Sequence, residues 1–292
     1  MKKIRIILNP IAGKGAAKNI VKLIEASDIK DRFDVQIEFT NNVGHASTLA
    51  AEAVQLNFDV VVAAGGDGTV NEVGSQLVHT NTVLGIIPLG SGNGLARHLG
   101  YSMQVKKCLE QIANSNIKSI DTLTINNRFA VNVSGLGFDG YVAWCFNHEG
   151  KRGLSNYTKI ALREYPKYPS INFKFIGLSE KEYSKAHMLV IANATQFGNA
   201  AIIAPTAKLN DGLLDVVLVR KPKLIQLPGM FYRLFYGKLK DNDYIKSFKC
   251  SEFSAIADRE VHLHIDGEAL APVSRIDVKL YPASLKVIHP KK

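Results

Sequence analysis

Apolar residues along this chain follow two different rhythms, and the change between them divides it. Over about the first 115 residues short apolar runs alternate with helical patterns. Ile4 to Leu8 leads to a helix carrying Ile20, Val21, Leu23 and Ile24; Val35, Ile37 and Phe39 alternate up to Thr40 and lead to a helix with Leu49, Ala50, Ala53 and Val54. Val60 to Ala64 is an unbroken apolar run before a helix predicted over 69–79, and Val83 to Ile87 is a fourth strand before another helix. An unbroken run suits a strand covered on both faces, so Val60 to Ala64 reads as the centre of a parallel sheet. The repeated strand and helix units predict a three-layer α/β domain.

From Ile117 the rhythm shortens. Ile120 to Ile125, Asn126-Asn127 and Phe129 to Val133 read as a hairpin, and further strands are predicted over 171–176, 186–192, 214–219, 254–257, 261–265 and 276–280. Many short strands with turn residues between them imply a β-sandwich or barrel-like second domain, with the boundary near Ser119. Two helical insertions interrupt it. Leu227, Met230, Phe231, Leu234 and Phe235 repeat at helical spacing beside Lys221, Lys223, Arg233, Lys238 and Lys240, and Gly150 to Pro169 carries a second basic cluster. Core packing is the favoured use of the 227–235 face, with an acidic membrane surface as the alternative.

The strand ends are where chemistry is expected. Asp59 to Glu72 reads DVVVAAGGDGTVNE: Gly65, Gly66 and Gly68 are expected to allow backbone forms closed to other residues, and Thr69 to cap the next helix. A glycine turn feeding a helix N-terminus gathers unpaired amides and suits phosphate. Asp67 among them makes sense facing a Mg²⁺ ion or its water. Asn9 to Gly15, NPIAGKG, is a second such loop, offering amides, Asn9 and Lys14, and is not a Walker A sequence because Gly15 follows Lys14. Pro88 to Gly94, PLGSGNG, is a third. Two loops of this kind at neighbouring strand ends can enclose one ligand. His45 reads as packing or capping, and His262, His264 and Asp266 share a strand face on which packing is favoured over zinc.

Composition narrows the surroundings. The chain has 292 residues, 46% of them hydrophobic and 21% charged, and three scattered cysteines, Cys108, Cys145 and Cys250, that fit neither a disulfide framework nor a zinc cluster. No run approaches the ~20 apolar residues of a membrane span, and the apolar segment after Met1-Lys2-Lys3 is short for a signal peptide, so the protein is read as cytoplasmic. The net charge of +10 calls for an anionic partner. No nucleic-acid-binding signature accompanies it.

GGDGT followed by NE resembles the nucleotide loop of diacylglycerol kinases, sphingosine kinases and NAD kinases. NPIAGKG, Thr40 with GHA, GGDGTVNEV, PLGSGN, KLNDGLLD and HIDGE stand in the order of the diacylglycerol kinase catalytic-domain family of soluble bacterial lipid kinases, a resemblance spanning essentially the whole chain. It implies an NAD-kinase-like α/β domain over 1–119, a β-sandwich over 120–281, and residues 282–292 returning to the first domain. It further implies ATP-dependent phosphorylation of a diacylglycerol-like lipid at a membrane surface, with peripheral attachment to anionic lipids, and leaves a homodimer open. By position, nucleotide would contact Asn9, Pro10, Ile11, Ala12, Gly13, Thr40, Gly65, Gly66, Asp67, Gly68, Thr69, Val70, Asn71 and Ser91. Glu268 would accept the hydroxyl proton with Asp266 beside it, and Asp67 would serve the metal. A structural Mg²⁺ would sit on Asp211 and the carbonyls of Lys208 and Leu213. Gly94 departs from the family, which places Asp there, and so opens a sphingoid base or another long-chain alcohol as substrate. NAD kinase and a nucleotide-binding regulator without turnover are the remaining alternatives.

Overall fold

The computed structural model describes residues 1–15, 17–149, 153–178 and 183–291. The chain separates into two compact units, Met1–Thr122 with Pro282–Lys292, and Leu123–Tyr281.

In the first unit β1 (Lys2–Leu8) leads through α1 (Ala17–Glu25) and α2 (Ile29–Arg32) to β2 (Phe33–Phe39). Then come α3 (His45–Gln55), β3 (Val60–Gly65), α4 (Asp67–Leu77), β4 (Val83–Pro88), α5 (Gly94–Leu99) and α6 (Val105–Ala113). The four strands are parallel in the order β2-β1-β3-β4, and Val287 of the returning segment pairs with Leu84 beyond β4. Every residue of β3 and β4 is buried, whereas edge strand β2 alternates in exposure. The chain steps one way from β1 to β2 and the other way from β2 past β1 to β3. Right-handed crossovers then put α1 and α2 on one face and α3 and α4 on the other, matching the packing of α1 and α2 on α6 and of α3 on α4. The strand order reverses between β1 and β3, so their carboxyl ends flank the crevice where such sheets bind ligands.

β5 (Asn116–Ile125) begins in the first unit and ends in the second. The boundary therefore lies inside a strand instead of in a linker. With β6 (Arg128–Ala130) it forms the hairpin read from the sequence. Asn126 (φ 49°) and Asn127 (φ 62°) both take the left-handed backbone that a two-residue turn of this hand requires.

The second unit continues with β7 (Val133–Gly137), α7 (Phe138–His148), α8 (Leu154–Glu164), β8 (Ile171–Ile176), β9 (Tyr183–Ala186), β10 (Met188–Ala192), β11 (Leu214–Val219) and α9 (Leu227–Phe235). It closes with β12 (Ile245–Cys250), β13 (Glu252–Val261), β14 (Leu263–Ile265), β15 (Glu268–Ala269) and β16 (Val273–His289), whose last residues belong to the first unit. One antiparallel sheet runs β12-β11-β10-β7-β14-β15; β8, β9, β13 and β16 form an antiparallel second layer. Leu136, Ile191, Val216 and Leu263 from one layer meet Phe173, Phe253, Ala255 and Ile276 from the other in a buried core, which makes this unit a β-sandwich.

The helical expectations for this unit hold in part. Helix α7 carries Phe138, Val142, Ala143 and Cys145 all buried, and a segment apolar on several sides shows no clean helical period. The basic segment after it is helical as α8, while Gly150, Lys151 and Arg152 lie outside the described residues. Core packing was expected of the α9 face, and Leu227, Met230 and Leu234 do lie against the buried cores, although no residue of the helix is fully buried and Phe235 is exposed. Beside α7 lies an unusual core residue, His187, with both ring nitrogens buried and unpaired and its ring stacked 4.6 Å from Phe138. Burial pushes its pKa down to about 3, and nearby Lys221 adds to the effect.

Candidate active site

The glycine loop is built for closeness. β3 ends at Gly65, Gly66 stands extended (φ −93°, ψ −172°), and α4 starts at Asp67. None of Gly65, Gly66 and Gly68 has a positive φ, so the expectation of special backbone forms fails. What glycine supplies is room. A Cβ on Gly65 would lie 2.4 Å from Thr69 Oγ1, and one on Gly90 would lie 2.6 Å from the Gly66 Cα. A Cβ on Gly68 would meet nothing within 4 Å, and that residue is exposed. Thr69 is buried inside the helix instead of capping it. The amides of Gly68 and Thr69 fall in the first turn of α4, where no helical carbonyl lies four residues back to receive them.

Asp67 clasps two loops together. Its carboxylate oxygens accept the N–H groups of Asn93 and Gly94, each at 2.9 Å. Burial raises its pKa against the pull of those amides. Asn93, buried and at φ 53°, donates to the Gly90 carbonyl (2.6 Å) and accepts from the Gly90 N–H (3.1 Å), which shapes the third loop. Glu72 does similar work on α3: its two oxygens accept from Gly44 N–H (3.0 Å) and Ala46 N–H (3.1 Å). His45 accepts the Asn41 N–H at Nδ1, a capping contact.

Other residues expected at the nucleotide divide into two sets. Asn9 bridges loops: its N–H goes to Ala64 O (3.0 Å), its side-chain oxygen accepts from Ile11, and its amide group reaches Thr69 Oγ1 (3.4 Å). The Ala12 N–H is spent on Asn9 O and the Gly13 N–H on Leu89 O. Pro10 is half-buried, and Ile11 and Ser91 are exposed. Thr40 is buried, its N–H on Leu8 O, and Asn71 is half-buried in α4. Val70 is buried with its N–H on Gly66 O, so it has neither side chain nor amide to offer. A cavity of about 360 Å³ opens beside these loops, lined by Gly13, Gly90, Asn93 and Arg97 among others. Arg97, which the sequence reading passed over, donates Nε–H to Gly92 O at 3.0 Å.

The second unit presents the acid turn. Asp266 (φ 49°) and Gly267 (φ 91°) form the two-residue turn between β14 and β15, with Ile265 opposite Glu268. Asp266 is buried; its oxygens accept from Val131 N–H (2.9 Å) and Asn132 N–H (3.0 Å). It anchors the turn and does not stand open beside Glu268 as a second acid. Glu268 is exposed. Behind the turn His264 accepts the Gly267 N–H at Nδ1 (3.2 Å), which leaves the Nε2 proton for Asp139 Oδ2 at 3.3 Å. Asp139 also accepts from Gly140 N–H (2.9 Å). A Cβ on Gly135 would fall 1.7 Å from Asp139 Oδ2, so only glycine admits this pair. The glycines and lone acid of VSGLGFDG were the sequence signal for it. His262 instead lies against the rings of Tyr141 and Trp144.

The loop expected to hold a structural ion carries a cation of its own. Asp211 Oδ1 accepts the Leu213 N–H (3.2 Å) while Lys249 Nζ sits 2.9 Å from Asp211 Oδ2 and 3.0 Å from Asp215 Oδ2. Burial opposes the Lys249 charge, and the two carboxylates outweigh it and raise its pKa. Lys208 is exposed. With an ammonium bridging its only acids, this donor set does not fit a divalent ion as folded.

A parallel-sheet unit with clasped glycine loops joined to a sandwich unit with an anchored acid turn is the arrangement that the comparisons place among lipid kinases. Residues 3–125 match the diacylglycerol kinase catalytic domain and residues 132–289 the YegS C-terminal NAD kinase beta sandwich-like domain; the chain belongs to the lipid kinase family that joins these two. It is 26% identical to a diacylglycerol kinase of Bacillus subtilis (strain 168), over 100% of this chain and 98% of that one. It is 29% identical to a YegS-like lipid kinase of Klebsiella pneumoniae (strain 342), over 96% and 94%. A solved structure of a diacylglycerol kinase from Bacillus anthracis str. Sterne shares the fold, with TM-score 0.78, 21% identity, and 99% and 97% of the two chains covered.

Proposed function

We propose that this lipid kinase transfers the γ-phosphoryl group of ATP to the hydroxyl of a diacylglycerol-like lipid. The observation that carries the reading is Glu268: an exposed carboxylate next to a turn held by the buried Asp266 carboxylate and by the Gly267 N–H on His264, so that the acid is positioned without being neutralised. Phosphoryl transfer asks little covalent chemistry of the protein; it needs the phosphates held, their charge spread and the hydroxyl proton received. The first-turn amides of Gly68 and Thr69 supply the cradle, with Asn9, Thr40, Asn71 and Ser91 around it. Glu268 receives the proton. Mg²⁺ bound with the triphosphate would spread the developing charge, and Asp67 fits it because each of its oxygens keeps a lone pair beyond the one given to an amide. The curated relatives named diacylglycerol kinase support this lipid class. Gly94 favours keeping a sphingoid base or another long-chain alcohol as a second substrate, since its backbone alone reaches Asp67.

Purified protein given labelled ATP with micelles of diacylglycerol, with a sphingoid base or with NAD tests the reading. Label is expected in the extracted diacylglycerol product, and to vanish in Glu268→Gln while nucleotide affinity is kept. Label in the NAD product alone, or in no acceptor, overturns it.

A further inference from the structure

Residues 221–240, KPKLIQLPGMFYRLFYGKLK, hold five basic residues and no acidic one. Within them α9 turns Met230 and Leu234 onto the core around Val190, Val217 and Ile245, and Leu227 onto the cluster of Phe138 and Ile160. The opposite side is apolar too. Ile225 is 87% exposed, Tyr236 65%, Leu224 61%, Tyr232 52% and Phe235 38%; among the described residues, five of the fifteen exposed large hydrophobic side chains fall in this one short stretch. Scattered exposed apolar residues need no explanation, but a cluster marks a surface that meets something.

Charge says what that is. Lys223, Arg233, Lys238 and Lys240 are exposed around the apolar face, and the Lys238 ammonium lies 5.6 Å from the Tyr232 ring and 6.0 Å from the Tyr236 ring. Cations held at the rim of aromatic side chains suit a layer where phosphate meets hydrocarbon. Lys221 is directed elsewhere, toward the carbonyls of Pro166 and Tyr168. The nearest acids in sequence, Asp241 and Asp243, lie beyond the stretch; Asp241 is bonded to Ser247, and Asp243 is one acid, set against four exposed bases, that lines a cleft with Ile225 and Arg233. A second copy of this chain fits badly, because a two-fold contact would lay this basic stretch on itself.

We propose that α9 with the turn before it is the surface by which this protein docks on a bilayer of anionic lipid. Leu224, Ile225, Tyr232, Phe235 and Tyr236 enter the acyl boundary, and Lys223, Arg233, Lys238 and Lys240 lie among the phosphates. The purpose of such docking rests on the lipid-substrate reading, but binding is measured apart from turnover.

Flotation of the full chain with phosphatidylglycerol-containing vesicles, and with phosphatidylcholine vesicles alone, tests it at low and high salt. Wild type is expected to bind the anionic vesicles at least tenfold more tightly, with salt narrowing the gap. The double variants Ile225→Glu with Tyr236→Glu, and Lys223→Glu with Arg233→Glu, each lose at least tenfold, melt like wild type, and keep turnover of short-chain diacylglycerol in detergent micelles within twofold. Equal binding by variants and wild type, or no wild-type binding, overturns the docking surface even if the micelle assay shows a working kinase. A wild-type dimer in sedimentation that the apolar variants dissolve makes the face a self-association surface and overturns it as well. Vesicle binding without turnover on any lipid leaves the docking surface standing and removes the kinase reading instead.

Discussion

Asp67 and Glu268 are both carboxylates on glycine turns, and the two units use them in opposite ways. In the first unit the acid is drawn into structure: Asp67 spends a lone pair of each oxygen joining one loop to the next, and the groups left at the start of α4 are backbone amides. In the second unit another residue does the anchoring. Asp266 takes the two backbone donors, His264 takes the third, and Glu268 is left exposed. A surface made of backbone depends on how closely its loops approach. A surface made of one side chain depends on the turn that aims it.

The largest expected effect tests that contrast directly. Glu268→Gln should lower turnover about a thousandfold, the range of a lost general base, with the dissociation constant for ATP within twofold of wild type by calorimetry. A comparable loss of ATP affinity would erase the distinction between the units.

Acid stability sharpens the contrast from the side of the sandwich. The folded-state pKa of His187 lies below its unfolded value, so its contribution is complete above pH 6.5 and is lost as pH falls toward about 3. The full loss is roughly 5 kcal/mol from a shift of this size. His187→Phe, measured by urea unfolding across that window, should flatten the acid limb by most of that amount.

Asp67→Asn comes next. It should cut turnover about a hundredfold, because an amide group offers only one acceptor oxygen to two loop N–H groups that now donate charge-assisted bonds to two. The pKa of Asp67 is raised from 3.8, so the wild-type carboxyl favours the native state at low pH and that contribution fades as pH rises through its folded value. The variant should lack this slope, which pH-dependent melting will show.

Gly90→Ala should weaken ATP binding about tenfold and cost about 1–3 kcal/mol, the usual range for overpacking, since its methyl would sit 2.6 Å from the Gly66 Cα. Gly68→Ala, with nothing within 4 Å of the new methyl, is the control for stability. Smallest is His264→Ala, expected to lower turnover several-fold at unchanged ATP affinity. Restoration by His264→Asn, whose amide oxygen can accept from Gly267, would mark His264 as a positioning residue and not a packing one.

The alternation of strands and helices made the first unit legible, because a buried parallel sheet leaves unbroken apolar runs such as Val60 to Ala64. The Asn126-Asn127 hairpin and the strand over 171–176 were equally plain. Helix α7 was not, for want of a polar face. Residues of both candidate surfaces were named from local motifs, but which acid would be consumed was not legible. Asp67 meets Asn93 across 26 positions and Asp266 meets Val131 across 135, and spacing within a motif is silent about partners so far away. Lys249 escaped notice for the same reason: it lies 38 positions from Asp211.

The bare contact between Gly66 and Gly90 has a corollary for how enzymes of this kind diverge. A seam formed by two α-carbons has no side chain to exchange, so point substitution there can only pry the loops apart and cannot retune them. Variation in what the enzyme accepts must therefore accumulate in residues standing away from that seam, and a mutational scan should find tolerance rising sharply within a few positions on either side of it.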